Sequence, residues 1–94
     1  MRNPLTIAKL HSGEFILGEF YQTEIRNSIL IVYSSEKTIH ILPLYPFNTN
    51  IMPTIKLSKC IFNYDLDLNL YAELANTYYN IKDSIKINYR QKLH

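Results

Sequence analysis

The side chains that could perform chemistry are sparse in this chain and are not spaced for catalysis. The three histidines and the single cysteine, Cys60, lack the spacing of metal ligands. Glu14, Glu19 and Glu24 recur every five residues, which fits a solvated surface better than a pair of catalytic carboxylates. The sequence contains neither a glycine-rich phosphate-binding pattern nor a nucleophile turn. We therefore expect a protein that is not an enzyme and that uses no metal and no cofactor.

The aromatic residues after the fourth predicted strand are of the type that stacks against nucleobases. Tyr45 and Phe47 alternate with Pro43 and Pro46, and the prolines fix the backbone of the loop that carries them. Exposed rings in such a loop are suited to stacking on single-stranded nucleic acid. The alternative is that these two rings cover the mouth of a barrel or a subunit contact.

The elements that position these residues begin with a predicted β-hairpin. Residues 5–10 form the first strand, and Gly13 supplies the turn. Gly18 lies within the second strand, where a missing side chain indicates a bend or a close backbone approach. The second strand is apolar on both faces, which predicts a small barrel with a helix or a neighbouring subunit packed outside it.

The rest of the chain continues this β-rich pattern. Residues 22–27 are polar and are predicted to form a loop, residues 29–33 the third strand and residues 38–44 a fourth strand at a sheet edge. Residues 53–64 are predicted to form an extended segment, a tight polar bend at Ser58-Lys59 and a last strand.

Asp65 or Asp67 is predicted to cap a C-terminal helix. Beyond Asn80 the helical and strand patterns conflict, and both stay open. The apolar residues that recur at three and four positions, and that we expect to pack on the barrel, are Leu70 or Tyr71, Leu74, Tyr78, Ile81 and Ile85.

Charge divides the 94-residue chain into two regions. Residues 1–80 carry six Lys or Arg and seven Asp or Glu, and residues 81–94 carry four and one, which gives −1 and +3. We interpret residues 1–80 as one barrel with its helix and residues 81–94 as a basic tail. A solvated terminus is the favoured interpretation of the tail, and contact with nucleic acid or an anionic surface is the alternative. The lone cysteine, the absence of a membrane-length apolar run and the lack of a signal peptide favour the cytoplasm.

The hairpin resembles the first signature of Sm and LSm proteins, whose spacing is matched by Leu10, Gly13, Gly18 and Phe20. A longer resemblance, to Sm-like proteins of marine cyanophage origin, covers roughly residues 7–80. It rests on the Lys-Leu-His-Ser-Gly-Glu run at 9–14, on Asn27, on the Leu-Pro-Leu-Tyr-Pro-Phe run at 42–47 and on the Ile-Lys-Leu-Ser-Lys-Cys-Ile-Phe run at 55–62.

This resemblance implies a small, strongly bent five-stranded antiparallel Sm-like barrel with a C-terminal helix. It further implies a homomeric ring, expected to be a pentamer, in the host cytoplasm if a phage encodes it. The ring would bind single-stranded RNA, or DNA, at loops around its pore. Phosphate or base contacts are expected from Arg26, Asn27, Lys56 and Lys59, with stacking from Tyr45 or Phe47.

The sequence departs from the family pattern at the positions that hold a base. The Asp and Asn loop pattern is matched only in part, by Glu24, Arg26 and Asn27, and Lys56-Leu57 stands nearest the Arg-Gly of the second signature. Because residues 1–80 are nearly neutral, a structural or adaptor ring that binds a phage or host protein is the alternative function.

Overall fold

A computed structural model describes residues 4–35, 38–44 and 52–92, with side chains as far as residue 83. The first hairpin forms in it as the sequence predicts. Strand β1 is Leu5–Leu10 and strand β2 is Phe15–Tyr21, and the two pair antiparallel. Gly13 has a φ of 102°, in the left-handed region that favours glycine, and its N–H donates to the carbonyl of Leu10 at 2.9 Å. The turn between the strands therefore depends on this glycine.

Gly18 allows β2 to approach strand β3, which is Glu24–Tyr33, unusually closely. A Cβ atom at Gly18 would lie 2.5 Å from Cγ2 of Ile25 and 2.8 Å from the carbonyl oxygen of Arg26. At this point the β2–β3 pairing shifts register, and β3 carries one extra residue. A β-bulge of this kind bends a strand and increases its twist. The mid-strand glycine thus marks the close approach that the sequence predicts.

The prediction of a loop over residues 22–27 is wrong beyond its first two residues. Gln22, with a φ of 51°, begins a tight turn, and β3 starts at Glu24. Ile25 is fully buried, whereas Arg26 is exposed and Glu24 partly so. The polar character of this stretch therefore comes from one solvent-facing side of a strand, since successive side chains of a strand point to opposite faces.

The chain after β3 adds three further strands. Strand β4 is Ile39–Leu42, β5 is Ile55–Lys56 and β6 is Cys60–Asp65, and a single 3₁₀ turn at Leu57–Lys59 joins the last two. The sheet runs in the order β4-β3-β2-β1-β6, with β5 paired to the start of β3. Every strand pairing in the sheet is antiparallel.

The mainly β class with a C-terminal helix is confirmed, whereas the closed five-stranded barrel is not. The described residues form six strands in one sheet, with β4 at one edge and β6 at the other. These two strands are not paired with each other within the part of the chain that the structure describes. The sheet is therefore open, although it is curved at the β-bulge.

Both faces of the central strands are buried, as predicted for the second strand. On one face Ala8, Ile16 and Ile25 form a cluster with the partly buried Leu57 and Cys60 packed against it. Burial raises the pKa of the Cys60 thiol. On the opposite face a second cluster joins the sheet to the helix, and its buried members are Leu5, Leu17, Ile29, Leu66, Ala75 and Tyr78.

Helix α1 is Ala72–Lys92 and extends through the stretch where the sequence patterns conflict. The prediction that Asp65 or Asp67 caps the helix is not confirmed, because α1 begins only at Ala72. Oδ1 of Asp67 accepts instead from the backbone N–H groups of Asn69 at 2.9 Å and Leu70 at 3.3 Å, in the turn that precedes the helix.

The predicted packing stripe is confirmed for Tyr78, which is fully buried, and for Leu74, which packs against the same cluster. It is wrong for its first position, because Leu70 and Tyr71 precede the helix and are 75% and 43% exposed. No helix in the described part of the chain is long and apolar enough to cross a membrane.

Candidate nucleic-acid interface

Two of the predicted contact residues, Arg26 and Lys56, lie close together on neighbouring strands. Glu24 of β3 is directly opposite Lys56 of β5, and Arg26 follows on the same face of β3. Nη2 of Arg26 lies 3.1 Å from Oε1 of Glu24, and the Arg26 side chain is 46% exposed. An exposed ion pair of this kind adds little stability, so the guanidinium remains available to an external phosphate or base.

Tyr21 completes this site and is the residue that the sequence reasoning did not identify. The guanidinium carbon of Arg26 lies 3.9 Å from the centroid of the Tyr21 ring, within the range of a cation–π contact. Tyr21 is opposite Glu24 in the β2–β3 pairing, and this places it beside Arg26. We call Tyr21, Glu24, Arg26 and Lys56 the hairpin patch. Recognising the two-residue turn at Gln22 in the sequence would have revealed it.

Asn27, the third predicted contact residue, is used inside the protein. Its backbone has a φ of 53°, and its Nδ2 donates to Oε1 of Glu19 at 3.1 Å. Its carbonyl accepts a hydrogen bond from the hydroxyl of Tyr78 at 2.7 Å. Both contacts stabilise the β-bulge. Asn27 therefore has a structural role next to the hairpin patch.

Lys59, the fourth predicted residue, is exposed but lies apart from the hairpin patch. It ends the 3₁₀ turn, and its carbonyl accepts from the N–H of His11 in the β1–β2 turn at 3.2 Å. Its side chain lines an open cleft with His11 and Ser12. Tyr45 and Phe47, the predicted stacking residues, lie outside the described residues.

A buried ion pair fixes α1 beside the hairpin patch. Nζ of Lys82 lies 2.5 Å from Oε1 of Glu19, and the two side chains are 18% and 6% exposed. The expectation of a solvated surface is therefore wrong for Glu19, because Lys82, which is 63 residues away in the sequence, covers it. Burial, followed by the negative charge of Glu19 and by Tyr79, raises the pKa of Tyr78.

The two edge strands expose apolar side chains. Ile61 and Tyr64 of β6 are 53% and 52% exposed, and Leu42 of β4 is 45% exposed. The Phe62 ring lies between those of Phe15 and Tyr64, with centroid distances of 6.2 and 6.0 Å. Unpaired strand edges with apolar side chains favour association with another chain.

Comparison with known proteins gives no further evidence for this site. No protein-family model matches the chain, and no curated protein matches it. The described residues also contain no group of three or more His, Cys, Asp or Glu side chains that could hold a metal ion. The candidate site therefore rests on its own geometry, which is an exposed Arg26 guanidinium stacked on Tyr21 and flanked by Lys56.

Proposed function

We propose that the chain is a non-enzymatic subunit of an Sm-like homomeric ring, expected to be a pentamer, that binds single-stranded nucleic acid, with RNA favoured over DNA. The observation that carries the proposal is the Arg26 guanidinium stacked at 3.9 Å on the Tyr21 ring. A guanidinium plane on an aromatic ring offers a base a flat surface and offers a phosphate a cation.

The order of the strands supports an Sm-like arrangement. Strands β4 and β5 both pair with β3, on the side of β3 that faces away from β2, at its end and at its start respectively. They can be regarded as one interrupted strand, and the sheet then has five strand positions. The shift of register at Gly18 and the 3₁₀ turn between β5 and β6 supply the curvature that a small barrel needs.

The open edges support assembly. If β6 of one copy paired with β4 of the next, the exposed Ile61 and Leu42 would be covered, and the unpaired backbone groups of both strands would be satisfied. Such a contact is heterologous, and it produces a closed ring when the rotation between subunits closes. The mass in solution at micromolar concentration, measured by light scattering, tests this part, and a monomeric mass would contradict it.

The nucleic-acid part is tested by replacing Arg26 with Ala and titrating fluorescent single-stranded RNA and DNA. Stacking contributes about 1–3 kcal/mol for each base, so the affinity of the variant should fall by a factor of about 5 to 150. Lys9→Ala is the matched control, since it also removes one positive charge but at a site beside Phe15, outside the hairpin patch. Wild-type binding should also weaken steeply as salt increases.

Two outcomes of this titration would contradict the proposal. The first is no binding by the wild-type protein even at low salt. The second is an equal loss of affinity in the Arg26→Ala and Lys9→Ala variants, which would indicate that total charge alone matters.

A structural or adaptor ring that binds a phage or host protein is the second candidate. The nearly neutral charge of residues 1–80 favours it, because nucleic-acid binders are usually more basic. Pull-down from host lysate with and without nuclease separates the two functions. Partners that persist after nuclease treatment support the adaptor, and partners that disappear support nucleic-acid binding.

A further inference from the structure

An apolar groove with acidic side chains lies between the sheet and the start of α1. It consists of two adjoining hollows of about 380 and 640 Å³ that share Ile39, Tyr71 and Leu74. Its apolar lining continues across the sheet through Ile7, Phe15, Ile31 and Tyr33. We call this feature the acidic groove.

The charge of the groove indicates what it can bind. Asp65, Asp67 and Glu73 line it and are exposed, and among the described residues that line it there is no Lys or Arg. Three carboxylates repel the phosphates of nucleic acid and attract cations. Together with the apolar lining, they favour a segment that is both basic and apolar.

The chain itself contains such a segment. Residues 83–94, beyond the Lys82 that pairs with Glu19, carry three Lys or Arg against one Asp, and the backbone is helical as far as Lys92. Ile85 and Tyr89 are four residues apart in the sequence, which is the spacing of residues on one side of a helix. The sequence of this last part of α1 is thus basic and amphipathic and complements the acidic groove.

This segment cannot reach the groove of its own subunit. Tyr71 and Leu74 line the groove at the beginning of α1, whereas Arg90 is 16 residues beyond Leu74 in the same continuous helix. At 1.5 Å per residue the separation is about 24 Å. A helix that continues to Lys92 does not fold back over that distance, so the occupant must come from another molecule.

We propose that residues 83–94 of a second copy of this chain dock in the acidic groove. The contact does not require pairing between β4 and β6, although Ile39 of β4 and Asp65 of β6 line the groove. It links copies by the helix-in-groove mode, in which apolar side chains fill the groove and charges at its margin fix the register.

Crosslinking of the full chain tests the contact. Leu70 is 75% exposed beside the groove, and Gln91 lies near the end of α1. The variant carries Leu70→Cys and Gln91→Cys, with Cys60→Ser to remove the native thiol. A disulfide between the two positions within one molecule is excluded, because roughly 28 Å of helix separates them and a disulfide requires Cα atoms within about 7 Å. Every mixed disulfide is therefore intermolecular.

Mild oxidation should give a ladder of crosslinked oligomers on a non-reducing gel. Ser12→Cys with Gln91→Cys is the matched control, since Ser12 is equally accessible in the β1–β2 turn but lies outside the groove. This control and the two single-cysteine variants should crosslink at least about tenfold more slowly, because their thiols are not held together by a contact.

Reversing the charges of the docking segment provides a second test of the contact. Lys86→Glu with Arg90→Glu should slow the crosslinking about tenfold, since attraction becomes repulsion, and Glu73→Lys should restore part of it. Crosslinking that does not exceed the Ser12 control would overturn the proposal, as would a rate unaffected by charge reversal. If charge reversal weakens oligonucleotide binding but leaves the rate unchanged, the tail contacts nucleic acid and the groove proposal is wrong. Failure of the ring is seen separately, because Ile61→Lys on β6 would then leave the mass measured by light scattering unchanged, whatever the rate of crosslinking.

Discussion

Replacing Lys82 with Met tests whether the buried ion pair holds the helix on the sheet. Lys82 connects α1 to Glu19 at the β-bulge, and the Glu19 side chain is only 6% exposed. Methionine keeps the length and apolar stem of lysine but removes the charge. In the variant, the Glu19 carboxylate would retain the hydrogen bond from Nδ2 of Asn27 and would lose its only described ion-pair partner.

The expected cost follows from the burial of the two groups. Removing one partner of a fully buried ion pair costs about 3–5 kcal/mol. Lys82 remains 18% exposed, so water can reach the site, and we expect a loss of about 2–3 kcal/mol. Most small domains have an unfolding free energy of about 5–15 kcal/mol. In thermal melts of a domain of this size, the loss corresponds to a decrease in Tm of roughly 10–20 °C.

Urea unfolding followed by circular dichroism measures the loss, at one protein concentration because assembly would make stability concentration-dependent. Lys59→Met is the matched control, since Lys59 is exposed and has no described ion pair, and it should change stability by less than about 0.5 kcal/mol. Adding Glu19→Gln to Lys82→Met should recover part of the loss, since no buried charge then remains. A Lys82→Met protein as stable as the Lys59→Met control would refute this reasoning.

Three further variants test the glycines, the buried tyrosine and the sheet edge. Gly18→Ala should destabilise the protein by about 1–3 kcal/mol in urea unfolding, because the new methyl group would overlap Ile25, whereas Gly13→Ala should cost about 1 kcal/mol through its positive φ alone. The raised pKa of Tyr78 means that its neutral form is favoured by folding, so that stability is fully present below the unfolded tyrosine pKa of about 10 and is lost as pH rises above it. Tyr78→Phe should flatten this alkaline loss in unfolding measurements at pH 8 to 11. Ile61→Lys should lower the mass measured by light scattering and leave the circular dichroism spectrum unchanged, since Ile61 is 53% exposed on β6.

Each of these variants has an outcome that contradicts its argument. A Gly18→Ala protein as stable as the wild type would indicate that the chain around Gly18 can move apart at no cost. An alkaline transition of the same steepness in Tyr78→Phe would assign it to other tyrosines. Assembly that survives Ile61→Lys would exclude β6 as a subunit contact.

The local pattern of the sequence predicts the β1–β2 hairpin and the helix stripe well. Gly13 and Gly18 each have a strong local signature, because a turn and a close approach both require a missing side chain. The register of β3 is harder to predict. The turn at Gln22 uses a non-glycine residue with positive φ, and the polar residues at the start of β3, such as Glu24 and Arg26, give this stretch the composition of a loop.

The candidate site is less predictable because its contacts cross long stretches of chain. Glu19 is buried only because Lys82 covers it from α1, and no local spacing indicates that contact. Tyr21 becomes a platform for Arg26 only when the β2–β3 register is known. Pairing between β3 and β5 places Lys56 in the same patch, and no local sequence pattern predicts its position next to the 3₁₀ turn.

The pairing of both β4 and β5 with β3 has a consequence for how this protein can vary. The two strands joined by residues 43–54 both pair with the same edge of β3, so a change in the length of this connection need not alter the sheet. Lengthening such a connection is inexpensive, because each doubling of a flexible loop costs only about 0.6 kcal/mol of closure entropy. A lineage carrying this fold could therefore exchange the segment that contains Tyr45 and Phe47 while the remaining sheet stays the same.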